Sequence, residues 1–517
     1  MYADTLIHNA RAVVPDASKS VPRSVALSGG RIVGIGDRLL DLKGPQTRII
    51  DAEGCCVVPG FNDAHVHIWK VGQLQTVLLD LRECQTLDDM YQRVQNRLRD
   101  LKPGEWLMGR GWNEARLKGL PERRVLDSMS MAHPIVLTRT CAHIHAVNAQ
   151  ALERAGITPE TPVPFGGEID WDKGLVFETA YGLLQRAFPA WTQSDYERWI
   201  LAGARHLRRL GITSATDPAV DPELYKAYQN LASNRTLPIR VNLLYIRRPD
   251  GGHETYSLPQ KCDSPFLRCD SVKFFADGGL SGATAAISEP YVGMSPPQQG
   301  ILRFATEELF ALALEAHEAG FRIGTHAIGD RAIEQVLDVY SRLYERSPSP
   351  VRHRIEHLGL ATDAQLERIR TLGCRVVTQP IFLRELRENF VSRLSQTFLG
   401  RCYAFNRMLR AGIPVAFSSD GPVVRELSPL EGMRAAVSEA LDPSENISVD
   451  AALWAYTAGG ALAGGDLDNR GSLEVGKWAD FIVLNKDPLA TSMDDWDDLG
   501  LKGVWVDGVE VETTADL

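Results

Sequence analysis

The chain has 517 residues, 44% apolar and 24% charged, and its 66 acidic and 56 basic residues give a net charge of -10. Its length predicts a large catalytic domain with a smaller companion, and its composition is that of a soluble globular protein. Charge is mixed along the chain, so there is no basic block for nucleic acid or an anionic membrane, and no uninterrupted apolar run would span a bilayer.

The opening residues, Met1-Tyr2-Ala3-Asp4-Thr5-Leu6-Ile7-His8, lack a basic stretch followed by an apolar one, and no export signal is expected. The eight cysteines are scattered without a CxxC pair, which points to reduced thiols and a cytoplasmic protein. Strand-like runs then follow without helices between them, at 10–14, 24–27 and 31–35. A run at 56–62 is the first of eight that carry the rest of the fold. The others are at 212–216, 239–245, 271–276, 322–326, 353–357, 374–378 and 415–419. Amphipathic helices are expected at 306–319, through Leu309, Leu312, Ala313 and Ala316, and at 331–345, through Ile333, Val336, Leu337 and Tyr340. Alternating strands and helices with eight strands predict a closed (β/α)8 barrel. Two further runs, at 481–484 and 503–509, resemble the first three. The expected organisation is a β-sandwich built from 1–56 and 466–517, and a barrel over 57–465. An insertion at about 69–200, with strands of its own at 106–109 and 134–138, is too long for a βα loop and is expected to roof the active site.

Functional side chains cluster at the carboxyl ends of the expected strands, where a parallel barrel does its chemistry. His65 and His67 are alternate residues, and on a regular strand both would face one side as half of a metal site. His326, His357 and Asp420 end later strands; each alone reads as an ordinary packed histidine or a turn residue. Their joint placement with His65, His67 and Lys273 points to a metal site. Lys273 has three readings: a neutral amine carbamylated to an anionic ligand, an unmodified neutral amine, or a cation for a substrate carboxylate. There is no GxSxG elbow, no cysteine nucleophile motif and no glycine-rich nucleotide fingerprint in a strand-to-helix context. Trp69, Trp112, Phe165, Tyr181, Tyr291 and Phe382 either line an apolar pocket or pack in the core.

The chain resembles the amidohydrolase superfamily, in the long-chain branch that includes N-substituted formamide deformylases. The resemblance rests on Pro59-Gly60-Phe61-Asn62-Asp63-Ala64-His65-Val66-His67, Lys273-Phe274-Phe275-Ala276-Asp277-Gly278 and His326-Ala327-Ile328-Gly329-Asp330-Arg331-Ala332. Arg354-Ile355-Glu356-His357, Gln379-Pro380, Ser418-Ser419-Asp420-Gly421-Pro422 and Gly471-Ser472-Leu473-Glu474-Val475-Gly476-Lys477-Trp478-Ala479-Asp480 extend it over nearly the whole length. It implies two divalent ions, zinc foremost: one on His65, His67 and Asp420, the other on His326 and His357, with carbamylated Lys273 between them. It also implies that His143, in Arg139-Thr140-Cys141-Ala142-His143, reaches the substrate, with His145 as a competitor and Asn148 nearby. Two positions depart from the pattern: Cys141-Ala142 replaces a common Asp-Gly, and Ala283 replaces a common arginine before Thr284-Ala285.

The implied mechanism is attack by a metal-bridging hydroxide on an amide-type carbonyl, with Asp420 as proton shuttle and His143 near the developing oxyanion. The alternatives are an ester, lactone or C–C bond at the same site, or a silent binding scaffold. A small-molecule substrate is expected, and a homodimer follows only from general prevalence.

Overall fold

The computed structural model describes residues 2–14, 21–37, 39–140, 144–164, 167–178, 180–249 and 254–513. The chain divides into two compact units, one of residues 1–68 with 204–517, the other of residues 69–203.

In the first unit, eight parallel strands form a nearly closed barrel: Phe61–Asp63, Ile212–Val220, Arg240–Ile246, Leu267–Phe275, Arg322–Ala327, Arg354–His357, Arg375–Thr378 and Val415–Phe417. Each pairs with its predecessor. The ring comes round where Ala64 N–H donates to Phe417 O at 3.2 Å. Arg240–Ile246 and Arg354–His357 are buried throughout, as strands covered on both faces are. The covering helices carry legible signals. Asp363–Leu372 starts at a capping box of Thr362 and Gln365 and stops at Gly373, whose φ of 65° is left-handed. Asp330–Arg346 buries Ile333, Val336, Leu337, Tyr340 and Leu343 on one stripe.

Both ends of the chain contribute to the unit's other sheet. Its eight strands are Ala3–Ala12, Val21–Ser28, Arg31–Gly36, Lys43–Asp51, Cys56–Pro59, Phe481–Leu484, Leu501–Val506 and Val509–Thr513. Ala3–Ala12 pairs along one edge first with Lys43–Asp51 and then with Cys56 and Val57, so the sheet divides there. Ile7, Val25, Leu27, Ile32, Val57, Phe481 and Trp505 form one core, and Ala3, Leu6 and Ala26 a second.

The expected first barrel strand at 56–62 is two strands in two sheets. Cys56–Pro59 pairs with Phe481–Leu484, and Phe61–Asp63 pairs with Ile212–Val220. Gly60 is the crossing point: its N–H donates to Asp480 O at 3.1 Å, and that of Phe61 to Gly211 O at 3.1 Å. A Cβ at Gly60 would lie 2.1 Å from Thr213 Oγ1, which is why a glycine is needed there. Buried Arg240 fastens the barrel to the terminal sheet through Asp480 at 2.6 and 3.0 Å and Asp507 at 2.9 Å.

The second unit has a six-stranded sheet in the order Gly167–Asp170, Leu175–Glu178, Ile144–Val147, Ile135–Arg139, Leu107–Trp112, Leu79–Asp80. Strand alternation gives it two cores: Ile135 and Leu137 join Met90, Val94 and Trp112 on one face, while Val136 joins Val147, Leu152 and Val176 on the other.

Candidate metal centre

The histidines His65 and His67 converge, but not by strand alternation. The first barrel strand stops at Asp63, and both lie in the loop that follows. Three backbone bonds shape that loop: His65 N–H to Asp63 Oδ1 at 3.2 Å, Val66 N–H to Thr216 O at 2.9 Å, and His67 N–H to Gly421 O at 2.9 Å. Asp63 also accepts from the hydroxyl of Ser419 at 2.6 Å, tying the loop to the segment that carries Asp420. Burial pushes the Asp63 carboxyl up to about 7. Both imidazoles then reach Asp420, whose Oδ1 lies 3.5 Å from His65 Nε2 and 3.5 Å from His67 Nε2.

His326 and His357 face each other with ring centroids 4.4 Å apart, and His357 lies 4.8 Å from the ring of His65. His357 and Asp420 have φ of 75° and 57°, conformations uncommon for residues with side chains and concentrated at functional sites. At His357 the turn breaks the alternation of the strand, so neighbouring Glu356 and His357 both serve the cluster. Glu356 Oε2 lies 2.5 Å from His65 Nδ1, and Arg354 holds the same carboxylate with Nε and Nη2. Gln379 Oε1 faces His357 Nδ1 at 2.9 Å. His326 Nε2 lies 3.1 Å from Gly278 O and 3.3 Å from Asp277 Oδ1. Asp277 is an anchor: it accepts from the N–H groups of Ala286, Ile328 and Gly329 at 2.9, 3.0 and 2.8 Å. That bridge between the loops after the fourth and fifth strands gives the Asp-Gly and His-Ala-Ile-Gly runs their structural sense.

The electrostatics suit a cation. Burial, reinforced by the Lys273 charge, holds His65 well below the usual histidine value and brings His326 to about 3. Burial and the neighbouring His326 do the same to His357. All three rings are therefore neutral near pH 7, the form that ligates metal. Burial brings Lys273 down to about 8, although Glu356 and Asp420 pull it up. Burial raises Glu356, but Arg354 and Lys273 outweigh it and leave that carboxyl below its usual value. Lys273 Nζ is buried with no hydrogen-bond partner among the described residues. Such a group is costly unless something completes it. His65, His357 and Asp420 bring one ligand atom each to within 4.8 Å of one another, the separation at which three groups can share an ion. This trio cuts across the two-ion division expected from the resemblance.

The remaining candidates are less central. His143 and Phe165 lie outside the described residues. His145, in the second unit, is a packed histidine: its Nδ1 meets Thr138 Oγ1 at 3.0 Å, and its ring stacks on Tyr181 with centroids 3.5 Å apart. Asn148 caps the helix Ala149–Arg154. Of the aromatic residues, Trp112 is core and donates to Leu137 O at 2.7 Å, and Tyr291 donates to Ala285 O at 2.8 Å. Trp69 packs 6.3 Å from Trp199, and Phe382 5.9 Å from Tyr403. Packing accounts for these four and for Tyr181. Sequence reasoning quoted Glu356, Asp63, Asp277 and Gln379 within its motifs but gave them no role. The available signal was strand periodicity: Arg354 and Glu356 share one face of a fully buried strand, which a buried ion pair explains.

Comparison with known proteins bears on the family and the fold. The sequence profile of the amidohydrolase family matches residues 48–512. YtcJ of Bacillus subtilis, named as an amidohydrolase, is 31% identical over 90% of this chain and 91% of its own. N-substituted formamide deformylase of Arthrobacter pascens is 28% identical over 98% of each. A metal-dependent hydrolase of Pyrococcus horikoshii, solved but uncharacterised, superposes with a TM-score of 0.79 at 26% identity, covering 95% of this chain and 99% of that one.

Proposed function

This chain belongs to the amidohydrolase family, and from that premise we propose that it hydrolyses an amide-type C–N bond of a small molecule to a carboxylic acid and an amine. The observation that carries the reading is the buried group of His65, His357 and Asp420, with Lys273 Nζ buried near Asp420 and without a hydrogen-bond partner among the described residues. Likeness along 98% of the chain to a protein named for cleaving substituted formamides supports the bond class.

His65, His67, His326, His357 and Asp420, with Lys273 as a carbamate, would hold two divalent ions, zinc being favoured by the imidazole and carboxylate donors. Such ions, when bound, polarise a carbonyl and lower the pKa of water from about 16 to about 7. The protein's own groups do the rest. Carbamate formation joins Lys273 Nζ to the carbon of carbon dioxide and releases one N–H proton; it needs the neutral amine, which burial favours. Glu356 and Gln379 fix the rings of His65 and His357 through their Nδ1 atoms. Asp420 accepts the proton of the attacking water at a carboxylate oxygen and returns it to the leaving nitrogen. A C–O and an N–H bond form as the C–N bond and a water O–H bond break. His143 would donate a hydrogen bond to the carbonyl oxygen.

The test pairs metal content per chain with a panel of N-formyl and N-acyl amines and their matched esters. Metal-dependent release of amine supports the reading. Turnover of the esters alone moves the reaction to a C–O bond. No turnover by fully loaded protein overturns it.

A further inference from the structure

A pair of opposed cysteines sits at the other end of the strand that carries Lys273. The short strand Cys262–Asp263 runs antiparallel to the start of Leu267–Phe275 and sets Cys262 directly opposite Cys269. The hairpin between them is tight: Ser264 N–H donates to Leu267 O at 2.9 Å, and Leu267 N–H to Ser264 Oγ at 3.2 Å. Opposed residues of an antiparallel pair point to the same face with Cβ atoms about 4.5–5.5 Å apart. A disulfide uses about 3.5–4.5 Å, so a small local approach suffices. Both thiols adjoin the hydroxyl of Tyr225, which donates to Gln260 O at 2.6 Å from the helix Pro222–Ser233. Cys269 is fully buried and Cys262 is half-buried, so a solution oxidant meets Cys262 first. Among the described residues, no other strand pairing sets two cysteines opposite each other.

We propose that Cys262 and Cys269 form an oxidisable pair that a peroxide closes to a cross-strand disulfide at the entry of the strand bearing Lys273. Cys262 Sγ takes one oxygen from the peroxide, becoming a sulfenic acid as the O–O bond breaks and one water leaves. Cys269 Sγ then attacks that sulfur; the S–S bond forms, the S–O bond breaks, and hydroxide departs as water with the Cys269 proton. The two thiols lose two electrons and the peroxide gains them. Burial holds both thiols above their usual value, which leaves little thiolate at neutral pH and makes closure slow.

The sequence supplies the assay, because trypsin cuts after Lys261, Arg268 and Lys273 and separates the two cysteines. The full chain is treated with hydrogen peroxide, alkylated, and digested without reduction. The expected product is residues 262–268 joined to residues 269–273, split by reductant, with two fewer titratable thiols per chain. Cys262→Ser should abolish the linked species while leaving the folded chain's other thiols titratable. Recovery of both peptides singly alkylated at a dose that oxidises Cys55 overturns the proposal. So does over-oxidised Cys262 beside alkylated Cys269, or a link from either to a third cysteine.

Discussion

Replacing Glu356 with Gln tests the supports of the candidate metal centre more sharply than removing a candidate ligand does. The carboxylate is fully buried and has two oxygens for three donors: Arg354 Nε and Nη2 and His65 Nδ1. An amide offers a single acceptor oxygen, and its NH2 group must face another donor. Glu356→Gln also leaves the Arg354 guanidinium, 1% exposed, without its counter-charge. Breaking a buried pair from one side costs about 3–5 kcal/mol, a large share of the about 5–15 kcal/mol that holds a domain folded. Losing the orientation of His65 should weaken metal binding by about 10- to 100-fold. Urea denaturation of metal-free protein reads the first effect, and metal retained after dialysis against graded free zinc reads the second. Adding Arg354→Met should recover part of the stability and none of the affinity, because it removes the stranded charge but not the loss at His65. A Glu356→Gln chain with the parent's urea midpoint and metal retention would refute the reasoning.

His326→Ala should lower bound metal and abolish turnover, checked by elemental analysis and the amide panel; normal values in both would remove it as a ligand. Asp420→Asn should cost far more rate than metal, so a variant with full activity ends its role as proton carrier. The buried chain Ile323 N–H to His353 Nδ1 (3.2 Å), His353 Nε2 to His317 Nδ1 (2.9 Å) and His317 Nε2 to Ser347 O (2.6 Å) is satisfied only with both rings neutral. Burial lowers His353 from 6.5 to about 3, so the unfolded chain binds the proton first. Its contribution is complete above about pH 6.5 and is lost as pH falls towards 3, on the order of 2 kcal/mol by pH 5. Urea midpoints at pH 7 and 5 should fall less for His353→Gln than for the parent, and equal falls would refute the chain. Gly60→Ala should cost about 1–3 kcal/mol, since its Cβ would meet Thr213 at 2.1 Å; a thermal melt reads it.

Most of the barrel was legible because its strands are short runs closed by turn signals, and the candidate ligands were legible because they sit at or just past the ends of those runs. What hid was anything depending on contact between distant segments. A run from Cys56 to Asn62 reads as one strand, and only the crossing at Gly60 against Thr213 divides it between two sheets. Lys43–Asp51 has exposed or half-exposed residues throughout and little apolar alternation to betray it. The histidines His65 and His67 were identified for a reason that does not hold, since backbone bonds to Thr216 and Gly421 bring them together in a loop. Glu356 stood in a quoted motif without a role, because its contact with His65, 2.5 Å away, joins segments far apart in sequence.

The second unit, residues 69–203, begins one residue after Ile68, and the strands on either side of it are direct neighbours, with Phe61 N–H on Gly211 O and Val66 N–H on Thr216 O. Chain closure of such a long excursion adds only about 0.6 kcal/mol for each doubling of length, so thermodynamics tolerates it readily. Assembly is another matter. Pairing of the first and second barrel strands has to span that excursion, and contacts this remote in sequence form slowly. On a ribosome, the first histidines are made well before the neighbour that sets their loop. An excursion that condenses as a unit of its own shortens the connection that the barrel has to close.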